Sequence, residues 1–103
     1  MSGKAECCRA EIPVDTLHHI LEKHYDLVEY LGVSGLSELA AMLRGMLCGP
    51  DETHVDRFRR DIVYCLKKRS SYWVNVVVVS GIVKTAYLIS DKTYRRFREK
   101  RWL

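Results

Sequence analysis

Chemistry in this 103-residue chain would have to come from four histidines, His18, His19, His24 and His54, and four cysteines, Cys7, Cys8, Cys48 and Cys65. Nucleophilic catalysis needs a base within hydrogen-bond reach of a thiol or hydroxyl, and no linear spacing here sets one up. His18 and His19 are neighbours, so they point to different sides of a helix. The cysteines lack the CxxC spacing of structural zinc, and no glycine-rich phosphate loop is present. The expectation is a non-enzymatic protein without metal or cofactor. Adjacent Cys7 and Cys8 are badly placed to bond to each other. With no secretory signal peptide in the polar start MSGKAECCRAE, free thiols and an intracellular location are expected.

The strongest signal is charge. The net charge is +4, but residues 1–56 carry four Lys/Arg against ten Asp/Glu, a balance of −6, while residues 57–103 carry thirteen against three, a balance of +10. A split of that size points to one half meeting a polyanion and the other meeting solvent or a protein partner. Hydrophobic content of 48% with 29% charged residues is globular, which argues against wholesale disorder. The longest aliphatic run, Val76 to Val79, falls far short of the roughly 20 residues that cross a bilayer, so no membrane role is expected.

The elements that would position these charges follow from periodicity. Residues 1–12 show none and are expected to form a flexible arm; residues 13–103 form the domain. Leu17, Ile20, Leu21, Leu27, Val28 and Leu31 predict one helix from Asp15 to Gly32, and Leu36, Leu39, Ala40, Leu43, Met46 and Leu47 a second, stopped by Gly49-Pro50. Val55, Phe58, Ile62, Cys65 and Leu66 suggest a third helix over about 51–69, with Thr53, Arg57, Arg60, Tyr64 and Lys68 on its opposite face. Tyr72 to Ile89 alternates as a β-hairpin turning at Ser80-Gly81. Pairing Val79 with Ile82 and 77 with 84 puts Tyr72, Val74, Val76, Val78, Val83, Thr85, Tyr87 and Ile89 on a common core face. Ser90 or Asp91 caps a final basic helix containing Tyr94 and Phe97.

The fold class is thus α+β and mostly α. The order of helices and hairpin, carried by SGLSELAAML, ETHVDRFRRDIVYCLKKR and YWVNVVVVSGIVKTAYLIS, resembles the winged helix-turn-helix superfamily. The resemblance implies a three-helix core, a hairpin wing and a recognition helix in a DNA major groove. On that basis Thr53, His54 and Arg57 would approach bases, with Arg60, Tyr64, Lys67, Lys68, Arg69, Lys84, Arg95 and Arg96 as further nucleic-acid contacts. It further implies a small transcriptional regulator acting on duplex DNA. The apolar hairpin suggests a homodimer. The rival expectation is a protein-interaction adaptor docking through that hairpin, and RNA binding by the C-terminal aromatics is the third.

Overall fold

The computed structural model describes residues 3–103, with side chains from Ala5 onward. Its order is α1 (Gly3–Arg9), α2 (Val14–Lys23), α3 (Tyr25–Leu31), α4 (Leu36–Cys48), β1 (Glu52–Val55), β2 (Ile62–Arg69), β3 (Tyr72–Val79), β4 (Ile82–Ser90) and α5 (Asp91–Lys100). The α+β class expected from the sequence is present, but the order differs from that of a winged helix. Four strands form one antiparallel meander, β1-β2-β3-β4, so each strand pairs with its neighbour in the chain.

The expected third helix does not exist. Residues 51–69 instead form β1, a loop and β2, so no recognition helix is available to a major groove. The reason lies in Ile62-Val63-Tyr64-Cys65-Leu66. A strand covered on both faces carries a continuous apolar run, and such a run satisfies a helical stripe equally well. Val63 and Cys65 pack among the N-terminal helices, and Tyr64 and Leu66 pack on the other side.

The hairpin turn is where the sequence places it: Ser80 and Gly81 both have positive φ, 50° and 81°, as a two-residue turn of this hand requires. Val79 pairs with Ile82 as anticipated, but the register shifts between Val77 and Val78. Val78 pairs with Val83 and Val77 with Thr85, leaving Lys84 as the extra residue of a bulge. Beyond it the sides of β4 exchange, because side chains alternate with period two. Ala86 therefore joins Val74, Val76 and Val78 in the helix-side core, while Thr85, Tyr87 and Ile89 lie with Trp73, Asn75 and Val77 on the opposite face.

The sheet consequently separates two cores. On one side α1 to α4 bury Leu17, Ile20, Leu27, Leu39, Leu43 and Leu47 against the valines of β2 to β4. On the other, α5 and the chain end bury Tyr94 and Trp102 against Tyr64, Leu66, Trp73 and Ile89. Ser90 caps α5 as expected, its hydroxyl accepting the Thr93 amide at 3.2 Å. The single first helix expected up to Gly32 is broken at His24, whose φ and ψ of −127° and 51° are not helical. The break lets α3 turn beside β4 and places His24 at the elbow. No single helix among the described residues is long and apolar enough to cross a membrane.

The N-terminal segment expected as a loose arm forms α1, tied down covalently; Met1 and Ser2 lie outside the described residues. Cys7 bonds to Cys65 of β2 and Cys8 to Cys48 at the end of α4, correcting the expectation of free thiols. Neighbouring cysteines cannot readily bond to each other, but each can reach a different element. Arg44 reinforces the join by donating to the carbonyls of Cys8 and Ala10 at 2.5 and 2.7 Å. Paired disulfides in a small domain are characteristic of oxidising compartments or of hyperthermophile interiors.

Thiol titration of the denatured, unreduced chain is expected to find no free thiol. Replacing the partly exposed pair together, Cys8→Ser with Cys48→Ser, should cost about 2–4 kcal/mol in denaturant unfolding. An unchanged midpoint would contradict the bond.

Candidate nucleic-acid interface

The face of the sheet crossed by α5 carries the polar groups and most of the basic ones. Its rows run Glu52–Leu66–Asn75–Tyr87 and His54–Tyr64–Val77–Thr85 across the four strands. The chain end fixes α5 over them. Trp102 is 1% exposed, stacks on His54 at 4.4 Å between ring centroids, and lies against Tyr64, Tyr94 and Phe97. Leu103 donates its amide to the Val55 carbonyl at 2.8 Å, adding a backbone bond to the edge of β1.

Two carboxylates organise the surroundings. Glu52 accepts from the Tyr94 hydroxyl at 2.7 and 2.8 Å and lies 2.8 Å from His54 Nε2, while Arg98 donates to the Tyr94 oxygen at 3.0 Å. Burial alone would raise the Glu52 pKa; the hydrogen bonds from His54 and Tyr94 outweigh it and hold the carboxyl below its usual value. Asp56 is 7% exposed and accepts three bonds: from the Tyr64 hydroxyl at 2.6 Å and from the Phe58 and Arg59 amides at 2.9 Å each. Burial again opposes and hydrogen bonding from Tyr64 and the two amides wins, holding the Asp56 carboxyl below its usual value. The Asp56 carboxylate in turn folds the β1–β2 loop into a tight turn.

That turn is pinned to the chain end. The Arg57 amide donates to the Arg101 carbonyl at 2.8 Å, and its guanidinium to the Trp102 carbonyl at 3.1 Å. Phe58 is consequently held outward at 80% exposure, the most exposed large apolar side chain among the described residues. Phe58, Arg96, Phe97, Lys100, Arg101 and Asp56 line an open hollow of about 310 Å³. The Arg101 guanidinium lies 4.6 Å and that of Arg96 5.7 Å from the centre of the Phe97 ring. Among the described residues, Arg95, Arg96, Arg98, Lys100 and Arg101 form no ion pair with a carboxylate. At longer range Arg95, Arg98 and Arg101 act on the Asp91, Glu52 and Asp56 carboxylates.

A second cluster lies where β4 meets the elbow between α2 and α3. The Tyr87 hydroxyl accepts from Asn75 Nδ2 at 3.3 Å, and its ring lies 5.8 Å from that of His24, which packs edge-on against His19 at 5.3 Å. Asn75 is fully buried, yet its Oδ1 and the nearby Thr85 Oγ1 have no hydrogen-bond partner. Such groups are costly unless something else uses them. Burial raises the Tyr87 pKa despite the charge of Arg101 and the bond from Asn75, keeping the phenol protonated. Burial and the neighbouring His19 lower that of His24 more than Asp26 raises it, keeping the imidazole neutral. No group of three or more His, Cys, Asp or Glu among the described residues could hold a metal ion.

The residues expected to contact nucleic acid are thus dispersed. Arg57 is bonded to the chain end, Arg96 lines the hollow beside the β1–β2 loop and Arg95 lies on α5 acting on Asp91, whereas Arg60 lies on a separate hollow beside Arg9, Asp61 and Gly81. Thr53 pairs with Cys65 and is half-buried in β1, His54 is stacked on Trp102, and Tyr64 is buried with its hydroxyl committed to Asp56. Lys67 donates to the Gly49 carbonyl at 2.9 Å, and Lys68 pairs with Asp91 at 2.9 Å over the Trp73 ring. Arg69 and the bulged Lys84 are exposed at opposite ends of the sheet. Sequence reasoning misses Phe58, which fits a buried helical stripe, and the grouping of His24, Asn75, Thr85 and Tyr87. An aromatic within a basic run, FRR beside DR, is the available signal for the first; the second depends on the bulge.

No family model, no curated protein and no solved structure matches this chain.

Proposed function

We propose that this protein binds nucleic acid through the surface made by α5 and the β1–β2 loop. The observation that carries the reading is the run of cations Arg95, Arg96, Arg98, Lys100 and Arg101, none within ion-pair distance of a carboxylate, of which Arg96, Lys100 and Arg101 line a hollow with the exposed Phe58. Cations free of carboxylate partners can replace the counterions of a phosphate backbone. Because 51–69 is not a helix, the contacts are of the backbone-positioning kind rather than helix readout of a major groove. Docking of a protein partner through the β3–β4 hairpin has less support. Its strands are packed into the sheet, and Tyr72 and Ile82, at its two ends, are its exposed large apolar side chains among the described residues.

Fluorescence anisotropy of labelled oligonucleotide should show affinity falling log-linearly with salt. The variant Arg95→Ala with Arg96→Ala should weaken binding and lower the slope by about one for each phosphate that is no longer neutralised. Absence of binding even at low salt would refute the proposal.

A second reading, cleavage of RNA, is favoured by the His24–Tyr87 cluster. A neutral imidazole can take the proton of a ribose 2′-hydroxyl as its oxygen bonds to the adjacent phosphorus. A protonated phenol can return a proton to the departing 5′-oxygen as the phosphorus–oxygen bond breaks. The products are a 2′,3′-cyclic phosphate and a 5′-hydroxyl. The charge of Arg101 acts at Tyr87 and would favour a phosphodiester beside it.

Incubation with single-stranded RNA should give such products, with His24→Ala and Tyr87→Phe each lowering the rate by about 10²-fold or more. Since the His24 pKa is lowered, activity requiring its neutral form should persist below the ordinary histidine value of about 6.5 and fall as pH drops through the shifted one. Intact RNA after prolonged incubation, or equal rates in the variants, would remove this reading.

A further inference from the structure

We infer that the hollow between the β1–β2 loop and the end of α5 seats an unpaired nucleobase on Phe58, with the attached phosphate held by Arg96 and Lys100. This rests on the nucleic-acid reading above and names the form of nucleic acid that the same surface selects.

A large apolar side chain left 80% exposed would ordinarily fold back against the body. Here the backbone that carries it is pinned. The Phe58 amide is bonded to Asp56 Oδ2 at 2.9 Å, and the preceding Arg57 is bonded through both its amide and its guanidinium to the chain end. The loop is thus ordered before any ligand arrives, and the ring is presented rather than loose. Preorganisation of this kind reduces the ordering cost on binding.

The surroundings identify the occupant. Phe58 shares with a second aromatic, Phe97, a hollow of about 310 Å³ whose other walls are Arg96, Lys100, Arg101 and Asp56, the carboxylate of which is already taken up by Tyr64 and the loop amides. A peptide anchor of apolar chemistry would gain nothing from three cations at the rim. A nucleotide uses both features, since its base offers a π-face to an aromatic and its phosphate offers charge to Arg and Lys. Arg101 lies closer over the Phe97 ring, at 4.6 Å against 5.7 Å for Arg96, and also acts on the Asp56 carboxylate, which leaves Arg96 and Lys100 as the freer phosphate contacts. Base-paired nucleotides are stacked within the duplex and cannot enter, so single strands are preferred. Because stacking accepts any base, the preference is for unpaired structure rather than for sequence.

The test uses the whole chain, a fluorescein-labelled single-stranded oligouridylate and a duplex of matched length, in salt-titrated anisotropy. Phe58→Ala should weaken single-strand binding by about tenfold or more while leaving the salt slope and the duplex affinity unchanged. Phe58→Trp should retain the affinity, and its added tryptophan emission should be quenched by the oligonucleotide. Thermal melts of both variants, at an exposed position, check that the fold is kept. Wild-type binding by Phe58→Ala, or equal losses for duplex and single strand, would overturn the inference while leaving phosphate binding in place. Failure of the unaltered protein to bind either nucleic acid would overturn both.

Discussion

Burial of Trp102 is the constraint on which the rest of this face depends. Its indole sits between His54 on β1 and the aromatic side chains of α5, and it closes the second core of the sheet. Without it, α5 would be a helix with one buried aromatic, Tyr94, and a strongly basic face, too short and too self-repelling to stay docked on its own. The same anchor supplies the carbonyls of Arg101 and Trp102 that hold Arg57, and so determines where Phe58 points. The indole Nε1 is itself buried without a partner, so apolar burial and stacking, rather than hydrogen bonding, hold the ring.

The sheet converts a division in the sequence into a division in space. Six of the ten acidic residues of the first half lie on α1 to α4, on the helix side, while most of the basic residues of the second half lie on α5, the chain end and the β1–β2 loop. Antiparallel strands covered on both faces leave β1 and β4 as edges, and both are protected. Glu11 pairs with β4 near Ile82, and the chain end bonds to β1. The two disulfides then fasten α1 to β2 and to α4, stabilising a domain with a modest core.

Much of this is legible in the sequence, and the failures have specific causes. Helix α4, the Ser80-Gly81 turn, the hairpin and the Ser90 cap each follow from local patterning that tertiary structure leaves intact. The segment 51–69 is ambiguous because its apolar residues satisfy both helical spacing and the continuous run of a doubly covered strand. No local rule distinguishes these; only the presence of α5 on the far side decides. The bulge at Lys84 has no sequence mark, and its one-residue slip moves Thr85, Tyr87 and Ile89 to the other face. Likewise no pattern announces that Cys7 and Cys8 each reach a different partner, because connectivity depends on the packing of α1.

Amide hydrogen exchange with and without a single-stranded oligonucleotide tests most directly the central claim, that the docked α5 and the β1–β2 loop form the binding surface. Added protection is expected over residues 56–61 and 91–103, with α2 to α4 unaltered. Protection confined to α1 to α4, or no protection at saturating oligonucleotide, would contradict it.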